Sequence, residues 1–214
     1  MKVLPVKILT LLLLSTHFVN AQKTTRYNLA QLLKEGKLST HPHLQTQVLD
    51  SFTQKQAITT KGAVWLKGVN FKEGTIEIDL RGKNVFLQSF LGIAFHAADT
   101  STYDVVYFRP FNFKHADTSR RRWSVQYMSL PDYDFAKLRK AHPLVYENAV
   151  TPVPEPSDWF HAAIVVKNGW VTVYVNHSTT ASLTVKLLND RGEGGIGLWD
   201  DELTGDFGNL SITQ

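Results

Sequence analysis

From Ala63 onward, apolar and polar residues alternate with a period of two over nine short runs, which is the pattern of a β-sheet protein. In 75–81, three aliphatic side chains point to one side of an extended chain and the polar residues between them point to the other. The remaining runs are 89–96, 103–109, 123–128, 161–166, 171–176, 182–187, 195–199 and 208–212. They are rich in β-branched and aromatic residues, and Asn, Asp, Gly, Pro or Ser stand between them. The alternation predicts antiparallel strands, each buried on one face.

The breaks between the runs predict how the strands are connected. Asn168 and Gly169 separate two alternating runs and supply the positive φ angles that a tight hairpin turn requires, and 176–180 could close the next hairpin. Only two short segments have a helical pattern: 27–38, a short helix or an irregular segment, and a helical turn at 135–141. Without helices between strands, a parallel sheet is disfavoured. Nine or more strands without a repeat period predict an all-β, two-sheet antiparallel sandwich of jelly-roll type.

Composition along the chain predicts three regions. Residues 1–21 have a basic start, an apolar stretch and the small-residue end VNA, which predicts a cleaved signal peptide and export to a periplasmic or extracellular location. Residues 22–61 are a polar lead-in that we expect to pack on the sandwich, and 62–214 form the sandwich itself. An irregular segment at about 114–156 is long and rich in aromatic residues, which predicts an ordered insertion.

Charge and cysteine content exclude several functions. Removing 1–21, which hold two lysines, from the 214-residue chain leaves 21 basic and 19 acidic residues. This small excess argues against nucleic acid as a partner, and the N-terminal apolar stretch is too short for a stable membrane anchor. The absence of cysteine excludes a disulfide framework and a thiolate nucleophile. The run of Arg120, Arg121 and Arg122 is either a solvated loop or a site for an anion or acidic glycan. The sequence leaves the oligomeric state open.

A further signal comes from eight segments taken in order: GTIEIDL at 74–80, FLGIAFH at 90–96, YDVVYFRP at 103–110, VQY at 125–127, DWF at 158–160, VYVN at 173–176, GIGL at 195–198 and FGNL at 207–210. Over about 62–213 the chain resembles the concanavalin A-like lectin and glucanase superfamily. Within it, the chain is similar to secreted bacterial laminin-G-like modules and, more loosely, to the 3-keto-disaccharide hydrolase domain. The resemblance implies a curved sheet whose concave face binds an oligo- or polysaccharide. It does not imply one activity, because lectins, hydrolases, lyases and adhesion modules share this fold.

Glycan recognition requires aromatic rings that stack on the C–H faces of sugars and planar polar groups that bind hydroxyls. One predicted strand carries two tyrosines and an arginine on the same face, and a glutamine lies on the next strand. Tryptophans nearby are candidate stacking platforms, although large aromatic residues of a sandwich are also common in its core. The predicted ligand-binding residues are Tyr103, Tyr107, Arg109, Trp123, Gln126 and Trp199.

The candidate catalytic residues are Glu77, Asp79 and His96. Glu77 and Asp79 resemble the first half of the Glu-x-Asp-x-x-Glu strand of laminarinases, but Gly82 stands where the second glutamate would be. A retaining pair of carboxylates, about 5 Å apart, is therefore incomplete on this strand. His96 could complete a metal-assisted hydrolytic site with the two carboxylates. Alternatively, Glu77 and Asp79 face solvent and pair with charges on neighbouring strands.

Cofactor predictions are limited to calcium or another divalent metal, and no metal ligand is assigned. Asp200, Asp201, Glu202 and Asp206 form an oxygen-rich stretch of the kind that calcium prefers. The stretch lacks the spacing of a calcium-binding loop, so a structural turn is the alternative.

Two main functional hypotheses follow. In the first, the protein is an exported carbohydrate-interacting β-sandwich that recognises glycan on a concave sheet face. In the second, it is a glycoside hydrolase with Glu77, Asp79, His96 and Arg109 around one pocket. A protein-contacting adhesion module is a further alternative. Convergence of the four side chains would favour catalysis, whereas their scatter over both faces of the molecule would favour binding.

Overall fold

Two facing sheets of antiparallel strands make up the computed structural model, which describes residues 22–40, 44–49 and 56–214. The predicted signal peptide at 1–21 lies outside these residues. In chain order the strands are β1 (Thr24–Tyr27), β2 (Leu38–Ser39), β3 (Thr46–Val48), β4 (Ile58–Thr60), β5 (Val64–Phe71), β6 (Gly74–Arg81), β7 (Ser89–Ala97), β8 (Asp104–Phe108), β9 (Val125–Ser129), β10 (Glu147–Asn148), β11 (Phe160–Lys167), β12 (Trp170–Val175), β13 (Leu183–Lys186), β14 (Gly194–Glu202) and β15 (Gly205–Thr213).

The strand order mixes early and late parts of the chain. The first sheet runs β13-β12-β11-β6-β15-β4-β3, with β1 also paired to β15, and the second runs β10-β9-β8-β7-β14-β5-β2. Neighbours such as β6 and β15, or β7 and β14, are far apart in sequence. The predicted all-β, two-sheet antiparallel sandwich of jelly-roll type is confirmed.

The core lies between the two sheets, where the alternating apolar residues of their strands meet. Ile76, Ile78 and Leu80 of β6 are fully buried, as are Ile93 and Phe95 of β7. Each such side chain contributes roughly 1.5–3 kcal/mol of hydrophobic stabilisation. Because side chains of a strand alternate between faces, the residues between these positions point to the outside of the sandwich.

The described residues of the segment 22–61, which we expected to pack on the sandwich, supply strands to both sheets. Strand β1 pairs with β15 and β4 pairs with both β3 and β15, whereas β2 pairs with β5 in the other sheet. These strands have only two to four residues, which is too short for a clear period of two. Helix α1 (Leu29–Lys34) lies within the predicted segment, and the Asn28 side chain accepts a hydrogen bond from the Gln31 amide.

The insertion carries most of the helical structure that the described residues contain. It follows helix α2 (Pro110–Phe113) and includes a 3-10 helix (Thr118–Trp123), strands β9 and β10, and helix α3 (Phe135–Ala141). Helix α3 matches the predicted helical turn, and the buried Leu138 joins an apolar cluster on the outer face of the second sheet. The insertion therefore covers part of that face. None of the helices in the described parts of the chain is long and apolar enough to span a bilayer.

Candidate functional site

Rows of side chains cross the outer face of the seven-stranded sheet, because the strand registers place their residues opposite one another. The middle row runs over five strands, from β10 to β14: Glu147, Gln126, Tyr107, Gly92 and Trp199. A side chain at Gly92 would place its Cβ 2.0 Å from the Val106 carbonyl oxygen, so this position accepts only glycine. The glycine lets the Tyr107 and Trp199 rings on either side approach to 5.1 Å between centroids.

A cavity of about 330 Å³ lies on this face. Its walls are aromatic and aliphatic, with two arginines and two carboxylates among them: Leu87, Phe90, Tyr107, Arg109, Met128, Phe135, Arg139, Trp199, Asp201 and Glu202. Pockets that bind small molecules are typically of at least this size and have apolar walls with a few polar groups.

The Trp199 ring is fixed by a second tyrosine. The indole N–H donates a hydrogen bond to the Tyr103 hydroxyl, with 3.1 Å between the heavy atoms. Tyr103 in turn packs against the edge of the Trp65 ring, 5.3 Å between centroids. Burial raises the pKa of the Tyr103 phenol, which therefore remains neutral at physiological pH. Trp199 is thus held in one orientation beside the cavity.

Tyr107 is fixed by a buried polar network. Its hydroxyl donates to Gln126 Oε1 at 2.8 Å, and Arg109 Nη2 donates both to that hydroxyl and to Gln126 Oε1. Arg109 Nη1 donates to the Trp123 carbonyl oxygen at 3.0 Å. Burial raises the pKa of Tyr107 to about 12, so the phenol stays protonated. Burial lowers the pKa of the Arg109 guanidinium, but an arginine remains charged in proteins. The side-chain oxygen of Gln126 and much of Arg109 are therefore engaged in holding the tyrosine.

Glu147 faces two arginines and ties helix α3 to the sheet. Arg139 donates two hydrogen bonds to this buried carboxylate, at 3.0 and 2.7 Å, and Arg109 Nη1 lies 3.6 Å from it. The hydrogen bonding of Arg139 to the Glu147 carboxylate is the main reason that the pKa of Arg139 is raised. The Arg139 guanidinium also lies 4.8 Å from the centroid of the Trp123 ring.

The structure brings five of the six predicted ligand-binding residues onto one sheet face: Tyr103, Tyr107, Arg109, Gln126 and Trp199. The sixth, Trp123, lies beside them at the end of the 3-10 helix and lines a neighbouring cavity. Whether these residues bind ligand stays a prediction.

Several residues of the cavity were not predicted from the sequence. Phe135 and Arg139 are four residues apart on α3, a spacing that places side chains on one helical face. Phe90 and Asp201 are opposite each other on β7 and β14. Phe90 is two residues from Gly92, and Asp201 is two residues from Trp199, so alternation alone could have predicted that each pair lies on one face of its strand. The sequence did not show that β14 lies next to β7.

Glu77 and Asp79 lie on the other sheet, on its outer face, and pair there with a histidine. His161 Nδ1 is 3.1 Å from Asp79 Oδ1 and His161 Nε2 is 3.5 Å from Glu77 Oε1. Asn209 donates a hydrogen bond to Asp79 Oδ2 at 2.8 Å, and the His161 ring stacks on His177 with 4.0 Å between centroids. The cross-strand pairing expected for these carboxylates therefore involves a histidine that faces both of them.

His96 lies in the seven-stranded sheet and is buried. Its Nδ1 is 3.1 Å from Asp104 Oδ2 and its Nε2 is 2.8 Å from the Lys72 carbonyl oxygen. Both ring nitrogens are engaged, so neither faces a substrate. The hydrolase hypothesis placed His96 with Glu77, Asp79 and Arg109 around one pocket. The structure divides these four residues between two sheets, because β6 and β7 are consecutive strands that belong to opposite layers.

The acidic residues proposed for calcium bind separate partners. Asp200 is buried and accepts hydrogen bonds from the backbone amides of Gly62 and Gly205, and Asp206 pairs with Arg81 at 2.8 Å. Asp201 accepts from the Glu202 amide. Within residues 22–40, 44–49 and 56–214, no three His, Asp or Glu side chains form a group that could hold a metal ion.

Comparison with solved structures shows the fold of the chain. A Bacillus subtilis protein of unknown function with a galectin-like fold matches with a TM-score of 0.59 and 12% identity, over 91% of this chain and 98% of that chain. The Emp46p carbohydrate recognition domain matches with a TM-score of 0.53 and 11% identity, over 87% and 94%. The carbohydrate-binding module CBM66 from Bacillus subtilis matches with a TM-score of 0.51 and 12% identity, over 72% and 86%.

These neighbours define the class of fold. They are of the concanavalin A-like, jelly-roll type. The resemblance of the sequence to this type is therefore confirmed at the level of the fold. No family model matches the chain, and no curated protein matches it. At identities of 11–12% the likeness concerns the fold alone.

Proposed function

We propose that this protein is an exported carbohydrate-binding β-sandwich that recognises a glycan in the cavity on the outer face of the seven-stranded sheet. The observation that carries the proposal is the cavity itself, in which the rings of Phe90, Trp199 and Phe135 stand beside the charged groups of Arg139 and Asp201. Structures named as a carbohydrate-binding module and a carbohydrate recognition domain share the fold, which supports glycan recognition in general.

Each component of the cavity has a role in this proposal. The rings of Phe90 and Trp199 stack on the C–H face of a sugar, and the carboxylate of Asp201 accepts hydrogen bonds from its hydroxyls. Arg139 donates hydrogen bonds from the opposite wall. The hydrogen bonds that fix Tyr107 and Trp199 reduce the ordering that binding would otherwise require, and preorganisation of this kind increases affinity.

The placement of the candidate catalytic residues supports recognition of a glycan without its hydrolysis. The carboxylates of Glu77 and Asp79 lie on the sheet opposite the cavity, where they contact His161. Glu147, which lies beside the cavity and lines its smaller neighbour, is paired with Arg139 through two hydrogen bonds. Export is part of the proposal because of the composition of residues 1–21. N-terminal sequencing of the protein from its native host should find Gln22 as the first residue.

A glycan array followed by calorimetry tests the proposal. Trp199→Ala should weaken binding of any glycan that the array identifies by roughly tenfold or more, because the stacking platform is lost. Trp170→Ala is the matched control, since Trp170 is a 43% exposed tryptophan on the other sheet, and it should leave the affinity unchanged. Equal affinities in the two variants would place the site elsewhere.

A hydrolysis assay on the same glycans, extended to 3-keto sugars and run with and without chelator, separates binding from catalysis. We expect no product release by chromatography. Product release that is absent in Glu77→Gln would establish the hydrolase hypothesis instead.

A further inference from the structure

A second, smaller cavity adjoins the first. It has a volume of about 180 Å³ and lies between the 3-10 helix and the C-terminal end of α3. Arg139 lines both cavities, so the two are neighbours along one surface. The polar residues of the second cavity are Ser119, Arg122, Trp123, Arg139 and Glu147.

Positive charge exceeds negative charge around this cavity. The single carboxylate of Glu147 faces the guanidinium groups of both Arg139 and Arg109. Arg122 lines the cavity and is exposed, and its guanidinium has neither an ion pair nor a hydrogen bond to any residue that the structure describes. Its neighbour Arg120, by contrast, lies 3.8 Å from Asp117. Arg122 is therefore a guanidinium available to an external anion.

The lining also contains an unused hydrogen-bond donor. The indole N–H of Trp123 is buried and has no hydrogen-bond partner among the described residues. Buried donors without a partner are rare in native proteins, and each one calls for an explanation. The Trp123 ring is held under Arg139 and cannot turn toward solvent without breaking that contact. Because the nitrogen has almost no solvent-exposed surface, an anion oxygen would accept this hydrogen bond only after a shift of the cavity lining.

We propose that the second cavity is an anionic subsite, which takes the carboxylate or sulfate group of an acidic sugar residue linked to the sugar in the first cavity. The inference rests on the proposed function and adds the class of glycan. Arg122 forms the charge-assisted contact, for which the planar guanidinium suits carboxylate and sulfate oxygens alike. Arg139 stays paired with Glu147 and forms the wall between the two sugar residues.

Calorimetry at physiological salt concentration tests the subsite by measuring the affinity for three acidic trimers, those of galacturonate, mannuronate and chondroitin. The affinity of each is compared with that of its carboxyl-reduced, uncharged counterpart. Carboxyl-reduced sulfated chondroitin, in which sulfate is the only anionic group, separates sulfate recognition from carboxylate recognition. At least one acidic trimer should bind about tenfold more tightly than its uncharged counterpart, which is the effect expected of one charge-assisted contact. Arg122→Gln should remove this preference and leave the affinity for the uncharged form unchanged.

Arg120→Gln is the matched control, because it removes the same charge from the same 3-10 helix at a residue outside the cavity lining. It should retain the preference for the acidic form, and circular dichroism should show both variants folded. Equal losses in the two variants would indicate diffuse attraction and overturn the subsite. Equal binding of acidic and uncharged trimers, with loss of both in Trp199→Ala, would overturn the subsite alone. No binding of any glycan, charged or uncharged, would overturn the proposed function with it.

Discussion

Tyr107 has the central position among the residues of the site, and its hydroxyl is where Arg109 and Gln126 meet. Tyr107→Phe removes the donor to Gln126 and the acceptor for Arg109, both of which stay buried. We expect the free energy of unfolding to fall by about 1–3 kcal/mol, because two buried hydrogen bonds are lost, one of them to a charged group, while Arg109 keeps its hydrogen bond to Gln126. Tyr174→Phe, on β12 of the other sheet, should change it by less than about 0.5 kcal/mol. Urea denaturation measures both, and a loss shared by the two variants would count against the network.

Asp200 gives the stability of the protein a dependence on pH. Burial raises the pKa of its carboxyl to about 8, whereas an aspartate in an unfolded chain titrates near about 3.9. Between about pH 4 and about pH 8, the Asp200 carboxyl is ionised in the unfolded chain and still protonated in the folded protein. The contribution of Asp200 to stability is therefore full below the unfolded pKa and is lost as pH rises through the folded pKa.

Asp200→Asn should flatten this dependence. At pH 5 the variant should be less stable than the parent by roughly 1 kcal/mol, because the amide nitrogen cannot accept the hydrogen bond that the Gly205 N–H donates. By pH 9 the difference should shrink or reverse, since only the parent has a buried carboxyl to ionise. Urea denaturation at pH 5, 7 and 9 tests this, with Asp158→Asn, a substitution of an exposed aspartate, as control. Parallel stability profiles of the parent and Asp200→Asn would contradict the assignment.

At the scale of elements, helix α3 is held over the sheet by the buried Leu138 and by the ion pair of Arg139 with Glu147. Leu138 packs in the outer apolar cluster with Tyr107 and Val105, and Arg139 binds Glu147. Leu138→Ala should cost about 2–4 kcal/mol of packing at that contact. Because the helix carries Phe135 and Arg139 into the cavity, its release should weaken glycan binding although Leu138 itself does not line the cavity.

Hydrogen exchange provides the direct measurement. In Leu138→Ala, amides of 135–141 should exchange faster, and those of the core strand β6 should exchange as in the parent. Lys140→Ala, an exposed substitution on the same helix, should leave exchange unchanged. Uniform acceleration over the whole chain would show global destabilisation instead of local release of α3.

The sequence was sufficient to predict nine of the fifteen described strands and the face to which their side chains point. Alternation in 103–109 placed Tyr107 and Arg109 together, and the pair Asn168 and Gly169 forms its hairpin with φ angles of 51° and 75°. What it could not show is which strands are neighbours. Pairing of β14 with β7, which brings Trp199 to Tyr107, depends on contacts that are distant in sequence. The same is true of His161 and Asp79.

For the whole molecule, the decisive feature is that its two polar regions lie on opposite outer faces. The cavity belongs to one sheet, and the cluster of Glu77, Asp79 and His161 belongs to the other. The two inner faces and the core separate them, and packed sheets are about 10 Å apart. Glycan bound in the cavity therefore has no route to the carboxylates that the sequence suggested for catalysis.

A double-mutant cycle tests this separation. Trp199→Phe, which retains part of the stacking surface, should weaken glycan binding, and Glu77→Gln should leave it unchanged. Because substitutions more than about 7–10 Å apart without shared partners act additively, the coupling energy between the two should lie within about 0.5 kcal/mol of zero. Calorimetry of the parent, both single variants and the double variant gives this value. A larger coupling energy would mean that the two faces communicate through the sandwich, and the assignment of recognition to one sheet alone would then be wrong.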